Sequence, residues 1–109
     1  MAEQTAAPSM LAHMVYFTLK DDSPEAREKL LADCREFLTE HPGTAFFAAG
    51  TLSDLDRSVN DRQYHVALQL VFENRSAHDE YQISAKHRQF IERNKDSWSQ
   101  VRAFDADVQ

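Results

Sequence analysis

The chain has 109 residues, with 12 Lys plus Arg against 18 Asp plus Glu and a formal net charge of −6. That length gives one domain with a lean core, which favours oligomerisation. The negative field repels phosphate backbones and anionic membrane surfaces, and no basic patch overrides it: Arg88, Arg93, Lys95 and Arg102 are interleaved with Glu92 and Asp96, so neither nucleic acid nor a membrane is expected as a partner.

Residues Met1 to Met10 are small and polar with one proline, the composition of a flexible N-terminal arm, and 11–109 remain as a single domain. The arm has neither a positive n-region nor an apolar h-region, and no run reaches the roughly 18 apolar residues that span a bilayer. A soluble, cytoplasmic protein is the expectation. From Leu11 to Leu19 the chain alternates, with His13, Val15, Phe17 and Leu19 on one face and Met14, Tyr16 and Thr18 on the other, which predicts a strand. Ser23 can cap a helix that Pro24 opens and Glu25 favours at its positive end. This helix is expected to run to about Glu40, burying Leu30, Leu31, Cys34, Phe37 and Leu38, with Asp33 among the residues left in water. Cys34 is the only cysteine and reads as a small buried hydrophobe.

His41-Pro42-Gly43 stops the helix. Thr44 to Leu52 predicts a second strand, with Ala48, Ala49 and Gly50 marking a bulge, and Tyr64 to Phe72 the clearest strand of all. A second helical region follows over about Ser76 to Ser97, with Trp98 packed at its last turn, and Val101 to Ala106 closes the domain as a strand. The order β-α-β-β-α-β predicts a ferredoxin-like α+β fold, a four-stranded antiparallel sheet with both helices on one face. Its other face, with Met14, Tyr16, Ala67 and Val71, is too apolar for water. A homodimer packed sheet against sheet is expected, with Tyr16, Ala67, Gln69 and Val71 near the interface.

The chemistry-bearing stretch is Tyr81 to Phe90, where a phenol and an imidazole stand six residues apart at Tyr81 and His87. On an unbroken helix, six steps of about 100° leave them roughly 120° apart around the axis, unable to face one pocket. Ile83, His87, Phe90, Ile91, Asn94 and Trp98 form one stripe, and Tyr81 lies off it. A break between Ile83 and Lys86 would bring Tyr81 back into register. Without one, Tyr81 caps a core edge and His87 is a hydrogen-bonded histidine.

Taken together, the opening His13 to Lys20, Pro42-Gly43 leading to Gly50, Tyr64-His65 running into Val71-Phe72-Glu73, Asp79-Glu80-Tyr81 followed by His87 and Phe90, and the closing Phe104-Asp105 resemble the stress-responsive dimeric α+β barrel (Dabb) family over about residues 12 to 107. Members usually carry a helix-breaking His-Pro pair where this chain has Ser84-Ala85. The resemblance implies a dimer that closes an α+β barrel. In the plant polyketide-cyclase branch, a Tyr and a His matching Tyr81 and His87 transfer protons in an aldol-type ring closure, and these two are the candidate catalytic residues.

With the helix broken, His13, Val15, Phe17, Leu68 and Val101 on the sheet would face Leu30, Cys34, Tyr81, His87, Phe90 and Trp98. They would enclose a slot suited to a small apolar or aromatic ligand. No cofactor is expected, because only Gly43 and Gly50 occur and no phosphate loop exists. No metal site is expected either, because the five histidines show no His-x-His or i, i+4 pairing. Two readings remain. One is a Dabb-domain protein with a non-catalytic stress or assembly role, which the missing His-Pro pair favours. The alternative is a small-molecule binder or polyketide-cyclase-like enzyme using Tyr81 and His87, with a cofactor-free oxygenase as a variant. An open slot reaching those two residues separates them from a slot filled by Phe90, Ile91 and Trp98.

Overall fold

The computed structural model describes residues 9–109. The elements are β1 (Met10–Leu19), α1 (Pro24–Phe37), β2 (Thr44–Thr51), β3 (Val66–Phe72), α2 (Arg75–Ile83), α3 (Ala85–Asn94), a 3-10 turn (Lys95–Ser97) and β4 (Trp98–Val108). The strands form one antiparallel sheet in the order β2-β3-β1-β4, the ferredoxin-like arrangement, with the helices on one face. The expected arm lies outside the described residues except for Ser9 and Met10, and Met10 already opens β1.

Register places the faces. His13 pairs with Leu70 and Asp105, Val15 with Leu68 and Ala103, and Phe17 with Val66 and Val101, so all of these point toward the helices. Val15, Phe17, Val66, Leu68 and Leu70 meet Leu30, Cys34, Leu38, Tyr81 and Phe90 in a single core, while Val101, Ala103 and Asp105 on β4 are exposed at its edge. Burying each large apolar side chain there contributes about 1.5 to 3 kcal/mol. On the opposite face, Tyr16 packs edge-on against Tyr64 at 4.9 Å and Phe104 at 5.8 Å between ring centres. Phe46 and Phe104, about half exposed at 52% and 54%, leave that face apolar.

Helix α1 begins as its sequence predicts: Ser23 Oγ accepts from the Ala26 amide at 3.1 Å and Pro24 occupies the first turn. It ends at Phe37, three residues short of the expected Glu40, because Leu38 leaves helical geometry at φ −114° and ψ 4° and Glu40 then takes a left-handed φ of 62°. Gly43 follows at φ 79°, where a Cβ would also lie 2.5 Å from Ala77 Cβ. Glycine is required there by both conformation and space.

Four expectations about the elements need correction. Asp33, expected in water, is buried, because Arg93 donates to both its oxygens at 3.0 and 3.2 Å and Asn94 Nδ2 donates at 3.0 Å. A buried carboxylate with three such donors is compensated. The register shift in β2 falls between Thr44 and Phe46, while Ala48, Ala49 and Gly50 pair regularly with Gln69, Leu68 and Ala67. Trp98 is the first residue of β4, against Phe17 and Phe90 at 5.1 and 5.9 Å, since the 3-10 turn has already ended the helix. Finally, β3 starts at Val66, and the preceding His65 instead ties the loop to β1, its amide donating to Phe17 O and its Nδ1 accepting from the Leu19 amide.

Candidate functional site

The second helical region is broken at Ser84, which takes φ −68° and ψ 155° and ends α2 while starting α3. One hydroxyl serves both ends. Ser84 Oγ donates to the Tyr81 carbonyl at 2.9 Å and accepts from the His87 amide at 3.1 Å. Serine competes for backbone groups in this way wherever a helix can stop, and as an N-cap it needs no proline beside it. The break shifts the phase of the apolar stripe. Tyr81 becomes buried at 2% exposure, and Ile83, expected on the stripe, is 70% exposed.

With that offset the two rings meet, Tyr81 and His87 lying 4.8 Å apart between centres in an edge-on contact of 73°. Tyr81 is packed on its other sides by Phe72 at 5.0 Å, His41 at 5.0 Å and His13 at 6.1 Å. His41 Nε2 donates to the Phe37 carbonyl at 2.8 Å, and His13 Nδ1 lies 2.5 Å from Asp105 Oδ1.

A cavity of about 190 Å³ opens onto this group. Of the predicted residues, His13, Val15, Phe17, Leu68, Tyr81, His87, Phe90, Trp98 and Val101 line it. Leu30 and Cys34 do not. They are fully buried between α1 and the sheet, where burial pushes the Cys34 thiol up to about 12 and keeps it un-ionised. Leu38, Gln82, Ile91 and Ala103 complete the wall. Ala103 was legible as the i+2 neighbour of Val101 on one strand face. The sequence marks His41 only as part of a helix stop, and no local signal places it on Tyr81. Phe90, Ile91 and Trp98 are walls rather than filling. Trp98 adds a buried indole N–H without a partner among the described residues. A larger groove of about 480 Å³ lies between α1 and α3, but the residues lining it, among them Arg88, Glu92 and Arg93, carry no phenol or imidazole.

The electrostatics suit proton movement. Burial, reinforced by the nearby His13, His41 and His78, lowers His87 from 6.5 to about 4, so its imidazole is neutral near pH 7 and can accept a proton. Burial likewise raises the Tyr81 phenol well above its ordinary value and holds it protonated as a donor. A base this weak works best when the group it deprotonates becomes an anion beside it, because that charge stabilises the imidazolium.

A ferredoxin-like sheet whose broken helix sets a protonated phenol against a neutral imidazole in an apolar slot defines a small α+β barrel-type domain with a candidate acid–base pair. The chain belongs to the stress responsive A/B barrel domain family (Dabb), whose family model matches residues 11–108. No curated protein matches the chain in sequence. Among solved structures it is similar to a Dabb family protein from Mesorhizobium loti, at 22% identity over 90% of this chain and 95% of that one, with a TM-score of 0.74. A dimeric ferredoxin-like protein of unknown function from Thermobifida fusca matches at 15% identity over 97% of both chains with a TM-score of 0.76. The hydroxynitrile lyase of Passiflora edulis matches at 18% identity, 94% and 96% coverage and a TM-score of 0.76. At these identities the likeness shows the fold. No specific activity is assigned by it, and no helix among the described residues is long and apolar enough to cross a membrane.

Proposed function

We propose that this Dabb-domain protein is a cytoplasmic homodimer that binds a small, mostly apolar compound with an acidic C–H or O–H, and that Tyr81 and His87 move the proton. The observation that carries this reading is the Ser84 break, which supplies the geometry that the missing His-Pro pair left in doubt. His87 acts as the base and the Tyr81 hydroxyl donates to the developing oxyanion. Val15, Phe17, Leu68, Phe90, Trp98 and Val101 supply apolar contact. The cavity is smaller than the roughly 300 to 1,000 Å³ usual for drug-sized ligands, so a single-ring phenol or a β-diketone is the expected class. A hydroxynitrile lyase on the same architecture supports a reacting site in this fold.

The exposed Phe46 and Phe104 favour a second reading, the non-catalytic assembly role carried by the sheet face. A thermal-shift screen of small phenols, β-diketones and polyketide-like acids separates the two. We expect a ligand shift in the parent that His87→Ala and Tyr81→Phe each remove while the unliganded fold is kept. No shift in the parent, or shifts that survive both substitutions, would leave the assembly role.

A further inference from the structure

Three chelating side chains distant in sequence meet where β1, β4 and α2 converge. His13 and Asp105 are register partners on the helix-facing side of the sheet, and His78 reaches them from α2. Their ligand atoms lie within 4.8 Å of one another, and the His13 and His78 rings are 5.1 Å apart at 63°. The side chains grade from 8% exposed at His13 through 14% at His78 to 48% at Asp105, so the cluster opens to solvent on one side only.

We propose that His13, His78 and Asp105 bind a divalent transition-metal ion of the zinc type. This inference does not rest on the proton-transfer reading, although His13 also lines the cavity beside Tyr81 and His87. Two imidazoles and one carboxylate are a borderline donor set that suits zinc, cobalt or iron rather than magnesium or calcium, which prefer all-oxygen shells. Three protein ligands leave a coordination position for water or substrate. His78 Nδ1 lies 3.0 Å from Asp79 Oδ1, and since a carboxylate only accepts, the proton sits on Nδ1; the Nε2 lone pair accepts from Gln82 Nε2 at a long 3.4 Å, a contact that an ion would displace. A carboxylate behind a ligating imidazole is the outer-shell support such sites use.

A cavity of about 320 Å³ lined by Leu11, Arg75, His78, Asp105 and Asp107 gives a hydrated ion its route in, with Asp107 adding negative charge. Arg75, the opposing charge at that mouth, is paired with Asp79 at 3.2 Å. Tetrahedral bonds near 2.1 Å place donors about 3.4 Å apart, so an ion would replace the 2.5 Å His13 Nδ1–Asp105 Oδ1 contact, parting those atoms by about 0.9 Å, while the widest donor separation, up to 4.8 Å, closes by about 1.4 Å. Rotation about the Asp105 and His78 side-chain torsions covers those distances.

Titration calorimetry of the full chain with zinc chloride at pH 7, beside the visible spectrum of a cobalt(II) titration, tests the site. We expect one equivalent per chain, cobalt bands of low coordination number, and at least about a 10-fold loss of affinity in His78→Gln and Asp105→Asn. Asp79→Asn should weaken binding less. His65→Ala, which removes the separate His65–Asp22 pair at 3.3 Å, should change nothing. Melting curves without metal confirm that each variant is folded. Affinity unchanged in both His78→Gln and Asp105→Asn, loss in His65→Ala instead, or no one-site binding below millimolar zinc would overturn the assignment.

Discussion

At the scale of single residues, His87 gives the protein a pH signature. Its folded pKa, about 4, lies below the ordinary 6.5, so between those values the unfolded chain holds more protons and stability rises with pH. The contribution is complete above about pH 6.5 and is lost as pH falls toward 4. At pH 4.5 this amounts to about 2 to 3 kcal/mol relative to pH 7. His87→Phe should flatten that part of the acid limb. Urea unfolding of parent and variant at pH 4.5 and 7 checks it, and an equal acid loss in both would show that His87 is not the group responsible. In the parent, ligand responses that need neutral His87 should persist down to about pH 5, where an ordinary imidazole would already be charged.

At the scale of elements, the joint between α2 and α3 depends on one hydroxyl. Ser84→Ala removes the acceptor for the His87 amide and the donor to the Tyr81 carbonyl. Loss of such a cap costs about 0.5 to 2 kcal/mol. Alanine also favours continuing the helix, which would swing His87 away from Tyr81. Ser84→Ala should therefore lose ligand response along with stability, and Ser84→Asn, which keeps a capping acceptor, should recover most of both. Equal losses in the two variants, read by denaturant unfolding and thermal shift, would argue that the joint is held by packing.

At the scale of the whole molecule, one face of the sheet is covered by helices and the other presents Tyr16, Phe46, Tyr64 and Phe104. A sheet face of this composition is expected to find a partner surface, and a second copy supplies a matching one. Light scattering at micromolar concentration should give twice the monomer mass of 12.5 kDa. Phe104→Glu, which sets a charge on the open face beside Met14 and Tyr16, should return the protein to the monomer mass. A parent already at 12.5 kDa would remove the dimer from the account.

The elements, their order and the buried face of α1 were legible in the sequence, because alternation on β1 and β3 and the Ser23-Pro24-Glu25 start are local signals that tertiary packing did not override. The resemblance named the family, and Tyr81 and His87 as its candidate pair. Only the tertiary structure decided that they meet, since the stop made by the Ser84 hydroxyl sets Tyr81 against Phe72 and His41, residues from β3 and a loop that no local window contains. For the same reason Asp33 looked solvated: its partners Arg93 and Asn94 stand about 60 positions away, beyond any window of helical periodicity. The His13, His78 and Asp105 cluster has no spacing to read, because its members are neighbours only through strand register and the seat of α2 on the sheet.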